Sequence, residues 1–173
     1  KVSRIAFDDD RIGPLKNMAS DLGWSWTESR NILSADVINN GFDSGFTGAD
    51  GVELFSTAHL REDGVTFRNE LATSADFSIT SLRTAFIDFQ NFRDGRGKRL
   101  NLQPESILIP PDLYSDVAEV LQSTDRPDTA NRAKNVNPDF FGQGKLAKIV
   151  SVPYLTDTDA WVLVGPKEDH GLV

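Results

Sequence analysis

Between Asp8 and Asn40, apolar residues return every three or four positions, and this run constrains the chain more than any other feature in it. Leu15, Met18, Leu22, Trp26, Leu33 and Val37 fall on one side of a helix with 3.6 residues per turn. The spacing predicts a single helix over residues 8–40. Asp8, Asp9 and Asp10 stand where carboxylates meet the positive end of the helix dipole. Pro14 fits only if the first turn starts near it, or if the helix kinks there. Gly23 weakens the middle by about 1 kcal/mol relative to Ala. Asn39-Asn40-Gly41 closes the run, with Gly41 as the expected residue just past the helix. Helices of globular proteins average about 11 to 12 residues. One this long needs a broad surface to lie on, or neighbouring subunits.

The pattern then changes. Gly41, Gly45, Gly48, Gly51 and Gly64, several with Asp beside them, are turn signals. They interrupt the short apolar pieces Val52 to Phe55 and Val65 to Phe67, which predicts an irregular segment with small strands or a hairpin over 41–78. A second helix is expected over 80–94, capped by Thr80 or Ser81, with Leu82, Ala85, Phe86, Phe89 and Phe92 as its core stripe. Ser106 to Ile109 reads as a short buried strand stopped by Pro110 and Pro111. A third helix should run from Asp112 to about Ser123, with Leu113, Val117, Val120 and Leu121 on one face. A strand leading into a helix suggests an α/β lobe. Residues 124–145 read as a long polar loop of the kind that is usually functional or mobile. Lys148 to Val152 and Ala160 to Val164 follow as strands. The expected class is α+β.

Composition excludes several functions. The 173 residues are 39% hydrophobic and 25% charged, the balance of a folded domain. No apolar run approaches the roughly 20 residues that span a bilayer, and Lys1 to Asp8 has no secretory h-region, so no membrane association is expected. With no Cys and two His, a disulfide framework is impossible and a zinc site is not indicated. A net charge of −8 opposes generic binding to phosphate backbones. Arg93, Arg96, Lys98 and Arg99 form the densest basic group and read as a solvated helix end.

The search for chemistry yields little, and no catalytic, cofactor-binding or metal residues are assigned. His59 and His170 lie in no ligand-spaced motif, and His59 reads as a turn residue. Asp157 and Asp159 could do acid–base work or hold a hard cation, but Ala160-Trp161 follows them where a calcium loop needs a Gly and a later Glu. They read as a polar hairpin turn, and Asp8 to Asp10 as helix capping. Gly142-Gln143-Gly144-Lys145 lacks the glycine spacing and the Ser or Thr of a phosphate loop, because Leu146 follows Lys145. No nucleophile elbow and no dinucleotide fingerprint occurs.

A series of segments in order carries a resemblance. Asp50-Gly51-Val52-Glu53-Leu54-Phe55-Ser56-Thr57-Ala58-His59, then Gly64-Val65-Thr66-Phe67-Arg68-Asn69, Pro104-Glu105-Ser106-Ile107-Leu108-Ile109-Pro110-Pro111-Asp112-Leu113 with Ala118-Glu119-Val120-Leu121-Gln122-Ser123, and Val152-Pro153-Tyr154-Leu155-Thr156-Asp157-Thr158-Asp159-Ala160-Trp161 together resemble the major capsid proteins of tailed bacteriophages, specifically the major head subunit of Mu-like prophages. The resemblance spans about Asp8 to Val164. It implies an α+β fold of the Hong Kong 97 type. The long helix would be the spine helix, residues 1–79 part of a peripheral domain, residues 80–150 an axial α/β domain, and residues 151–173 returning strands. The family's N-terminal arm and extended loop would precede Lys1, which makes this chain a fragment of such a subunit.

The function so implied is that of a structural subunit and not an enzyme. Copies of the chain would associate as hexamers and pentamers of an icosahedral shell around DNA, which it would hold without sequence-specific binding. Portal and scaffold or protease proteins would be further partners, assembly would take place in the bacterial host cytoplasm, and no cofactor is implied. Residues 124–145 and the exposed edge of helix 8–40 are expected to carry the contacts between subunits. The alternatives are a soluble metal-dependent hydrolase using Asp157 and Asp159 with His59 or His170, and a cellular nanocompartment shell protein of the same fold.

Overall fold

A computed structural model describes residues 14–123 and 148–166. Its longest element is helix α1, Pro14–Asn39. Proline is well placed at a helix start, where its missing N–H leaves no intrahelical bond unmade. The stretch of the expected helix before Pro14 lies outside the described residues. The hydroxyls of Thr27, Ser29 and Ser34 donate back to the carbonyls of Gly23, Ser25 and Arg30, a local use of polar groups open to side chains that no neighbour covers.

Gly41 ends the helix for a different reason from the one expected. It is buried, and its φ is not among the positive ones. A Cβ at this position would stand 2.5 Å from Cδ2 of Phe55. The glycine admits an aromatic ring, and the residue just past the helix does not need left-handed backbone.

Residues 41–69 form an irregular lobe around one small antiparallel hairpin, β1 (His59–Leu60) with β2 (Thr66–Phe67). Gly64, at φ 79°, makes its turn, and Asp63 accepts hydrogen bonds from Arg61 and from the Val65 amide. Asn69 ties the lobe shut. Its Oδ1 accepts the Ser56 amide at 2.9 Å and its Nδ2 donates to the Leu54 carbonyl at 2.7 Å. The piece Val52 to Phe55 forms no strand; it contributes an isolated bridge between Thr47 and Glu53.

Helix α2, Ile79–Gln90, is capped by Ser78, and neither Thr80 nor Ser81 is the cap. The Ser78 hydroxyl accepts the Ser81 amide at 3.1 Å, and the Ser81 hydroxyl accepts the Ser78 amide at 2.8 Å. Serine thus does at the third helical position what Glu or Gln usually does in a capping box. The helix stops four residues short of the expected end. The basic group after it lies on a tight turn, bridged Arg93 to Arg99, in which Asp94 accepts the amides of Arg96 and Lys98.

Strand β3 (Ser106–Ile109) is the centre of a three-stranded sheet. It pairs in parallel with β4 (Lys148–Ser151) and antiparallel with β5 (Val162–Val164). A 3-10 turn, Pro111–Leu113, leads from β3 into α3, Tyr114–Gln122, so the expected third helix begins as the tighter form. Parallel neighbours require such a crossover. Ile107 and Ile109, alternate residues of β3, are wholly buried against Leu82 and Phe86 of α2 and Val117, Val120 and Leu121 of α3. This cluster is the core. Trp161 closes one side of it, edge-on to Phe77 at 5.8 Å and donating Nε1–H to the Ala75 carbonyl.

Candidate assembly surface

Helix α1 leans on the rest of the chain along one narrow line. Ala35 is buried, Glu28 and Asn39 are half-buried, and every residue from Asn17 to Thr27 is exposed. The line is held by polar groups. The Tyr154 hydroxyl donates to the Glu28 carboxylate. Asn39 donates to the Tyr154 carbonyl and accepts the Thr156 amide, both at 3.0 Å. The hydrogen bond to the Glu28 carboxylate raises the pKa of Tyr154, with desolvation adding to the effect, because ionising the phenol would face one negative charge with another.

At about 100° per residue, Glu28, Ala35 and Asn39 share one face of the helix. Met18, Leu22, Trp26, Leu33 and Val37 share another, roughly 140° around from it. The apolar stripe read from the sequence therefore points away from the protein's own body. Leu22 is 73% and Trp26 68% exposed, and Met18, Leu33 and Val37 are similarly open. Scattered single hydrophobes on a surface are ordinary, whereas contiguous apolar patches mark interaction sites. This stripe covers about five helical turns.

A second apolar surface begins where α1 ends. A groove of about 710 Å³ is lined by Ile38 and Phe42, by Phe89 and Phe92, and by Trp161 and Leu163. Glu70, Asp76, Asp157 and Asp159 line it, together with Asp88, whose carboxylate is gripped by Arg68 through two 3.0 Å hydrogen bonds.

Among the described residues, those considered for catalysis do not form one site. Asp157 and Asp159 lie on the loop before β5, where the Asp157 carboxylate accepts the Asp159 amide at 3.3 Å. The hydrogen bond and charge of Asp157, then burial and Asp76, raise the Asp159 pKa. His59 belongs to the other lobe. Its Nδ1 meets the Asp50 carboxylate at 2.6 Å, its Nε2 faces the Leu54 carbonyl at 3.2 Å, and its ring stacks on Phe67. Both ring nitrogens are occupied, and Asp50 is held below the ordinary carboxylate range chiefly by its bond to His59. The groove that contains the two aspartates is not lined by His59. The hydrolase alternative gains no support. His170, Asp8 to Asp10, Gly142 to Lys145 and the loop 124–145 lie outside the described residues. Among the described residues no group of three or more His, Cys, Asp or Glu could hold a metal ion, and no helix is long and apolar enough to cross a membrane.

Periodicity predicts the stripe, and leaves open whether it lies on the chain's own body or on neighbouring subunits. It missed the groove, which is assembled from segments more than a hundred residues apart. It also missed the tie between Asn39 and Tyr154, for which no local pattern exists. The family model of phage capsid proteins matches residues 1–173, the whole chain. No curated protein and no solved structure matches it.

Proposed function

The chain belongs to the phage capsid protein family, and from that premise we propose that it is a head subunit whose shell is closed through the outward face of α1. The family implies a structural protein of the virion that associates with copies of itself. The finer reading is a major head subunit of the Mu-like prophage type with a Hong Kong 97-type layout. In it α1 is the spine helix, residues 1–79 belong to a peripheral domain, 80–150 to an axial domain and 151–173 to returning strands. Copies gather as hexamers and pentamers of an icosahedral shell that encloses DNA.

One observation carries the assembly reading: the apolar stripe of α1 faces away from the core, with Leu22 and Trp26 about 70% exposed. Burying apolar surface is worth about 25 cal/mol per Å², and along this helix that burial is left for another molecule to supply. Rings of five or six identical subunits use contacts between unlike surfaces, and a projecting helix on one side of the body suits them. The acidic net charge of −8 fits a wall that does not grip the DNA it holds.

The test is electron microscopy and light scattering of the protein and of a Leu22→Asp, Trp26→Asp variant. The variant is expected to keep the circular dichroism and melting temperature of the parent, because neither side chain touches the core, and to lose rings and shells. Normal particles from the variant would refute the assignment of the surface. A parent that stays monomeric at all concentrations, with the N-terminal arm and extended loop that the resemblance implies restored, would refute the function.

A further inference from the structure

We infer that the groove beside the C-terminal end of α1 seats the outward face of α1 from a second copy of this chain. This inference rests on the assembly reading and names the surface that receives the helix.

The two surfaces match in kind. Helix-in-groove recognition uses anchors at intervals of one turn laid into an apolar channel. Met18, Leu22 and Trp26 stand four residues apart on the outward face, and all three are exposed. The groove offers Phe42, Phe89, Phe92 and Trp161. Its volume of about 710 Å³ falls in the range of built recognition sites and not of packing gaps.

The charges match as well. Glu70, Asp76, Asp157 and Asp159 border the groove, and no ion pair joins any of them to a cation among the described residues. The occupant should therefore be apolar with a cation at its edge. Beside the anchors Met18, Leu22 and Trp26 the outward face of α1 carries Arg30, while Asp21 and Glu28 lie on the other side of the helix and Asp36 comes ten residues beyond Trp26. The Arg30 side chain also has no ion-pair partner among the described residues. Complementary charge of this type sets orientation and register more than affinity.

Geometry makes the contact intermolecular. Ile38 and Asn39, at the end of α1 itself, line the groove. The stripe points away from the body, so a straight helix cannot lay Met18 to Trp26 into a groove at its own base. A contact between unlike surfaces of identical chains is heterologous, and it closes into rings when the rotation permits.

The absence of cysteine makes the test clean. Ser29 is exposed on the outward face of α1, and Ser74 is an exposed residue of the groove wall. Full-length Ser29→Cys and Ser74→Cys proteins are prepared singly and co-expressed, then treated with a short bis-maleimide. The expected result is a crosslinked dimer in the co-expressed sample and little in either protein alone. Asp157→Lys with Glu70→Lys should reduce that product roughly tenfold, and adding Arg30→Glu should recover part of it. If particles form but Ser29→Cys crosslinks only to itself, helices pair with helices; the assembly reading then stands and the groove assignment falls. If particles form and neither cysteine crosslinks, another partner fills the groove and the assignment again falls. If no particle forms at all, the assembly reading fails and takes this inference with it.

Discussion

At the residue scale, single atoms decide more than propensities do. Gly41 illustrates this. A methyl group there would meet the Phe55 ring at 2.5 Å, and Phe55 is already packed on Phe42 with ring centroids 4.9 Å apart. Gly41→Ala should cost about 1–3 kcal/mol through overpacking, read as a lower urea midpoint with an unchanged slope. Two aspartates give opposite responses to acid. Asp50 is depressed below its ordinary value of 3.8 by its bond to His59, so it contributes stability above the unfolded pKa that is lost as pH falls through the folded one. Asp159 is raised above 3.8 by Asp157, so its contribution is fully present below the unfolded pKa and is lost as pH rises through the folded one. Melting curves between neutral pH and pH 3 should therefore diverge. Asp50→Asn is expected to flatten the fall in stability on acidification, and Asp159→Asn to raise stability at neutral pH. Coincident curves for both variants and the parent would contradict the two assignments.

At the element scale, each helix is held by a different means. Helix α2 depends on its reciprocal Ser78–Ser81 cap. Ser78→Ala removes an acceptor for an amide that the helix cannot otherwise satisfy, and should lower stability by about 1 kcal/mol. Ser78→Asp should restore most of it, as measured by thermal unfolding. The expected cap was off by two or three positions because Ser78, Thr80 and Ser81 are all competent residue types. Which of them serves depends on where Leu82 and Phe86 must enter the core. Helix α1 is held along its inner line by Ala35, Asn39 and the Glu28–Tyr154 bond. Its apolar periodicity dictates a helix, yet that same stripe is free to face inward or outward.

At the scale of the whole molecule, among the described residues, the sheet and its core form one part, and α1 is tied to it by the Asn39 and Tyr154 clasp and by the buried Ala35. Asn39→Ala breaks two hydrogen bonds at the joint, each worth about 0.5–1.5 kcal/mol. It leaves the cluster around Ile107 and Phe86 untouched. Hydrogen exchange is expected to rise around Tyr154 to Thr156 and at the end of α1, while β3 stays protected. Assembly should become irregular, because the angle between helix and body sets how neighbours meet. Equal exchange in both proteins would mean that the clasp does not hold the helix.

The α+β class, the buried strand Ser106 to Ile109 and the three helices were legible from the sequence, because the period of burial along a chain is written in the spacing of its apolar residues. Local pattern could not reveal which way the stripe of α1 points, or that β3 lies between β4 and β5, one parallel and one antiparallel. Nor could it reveal that Asp157 and Asp159 share a groove with Phe89 and Phe92 while His59 is bound to Asp50. Periodicity along a helix shows that a face is apolar, but only the packing of distant segments determines what that face meets.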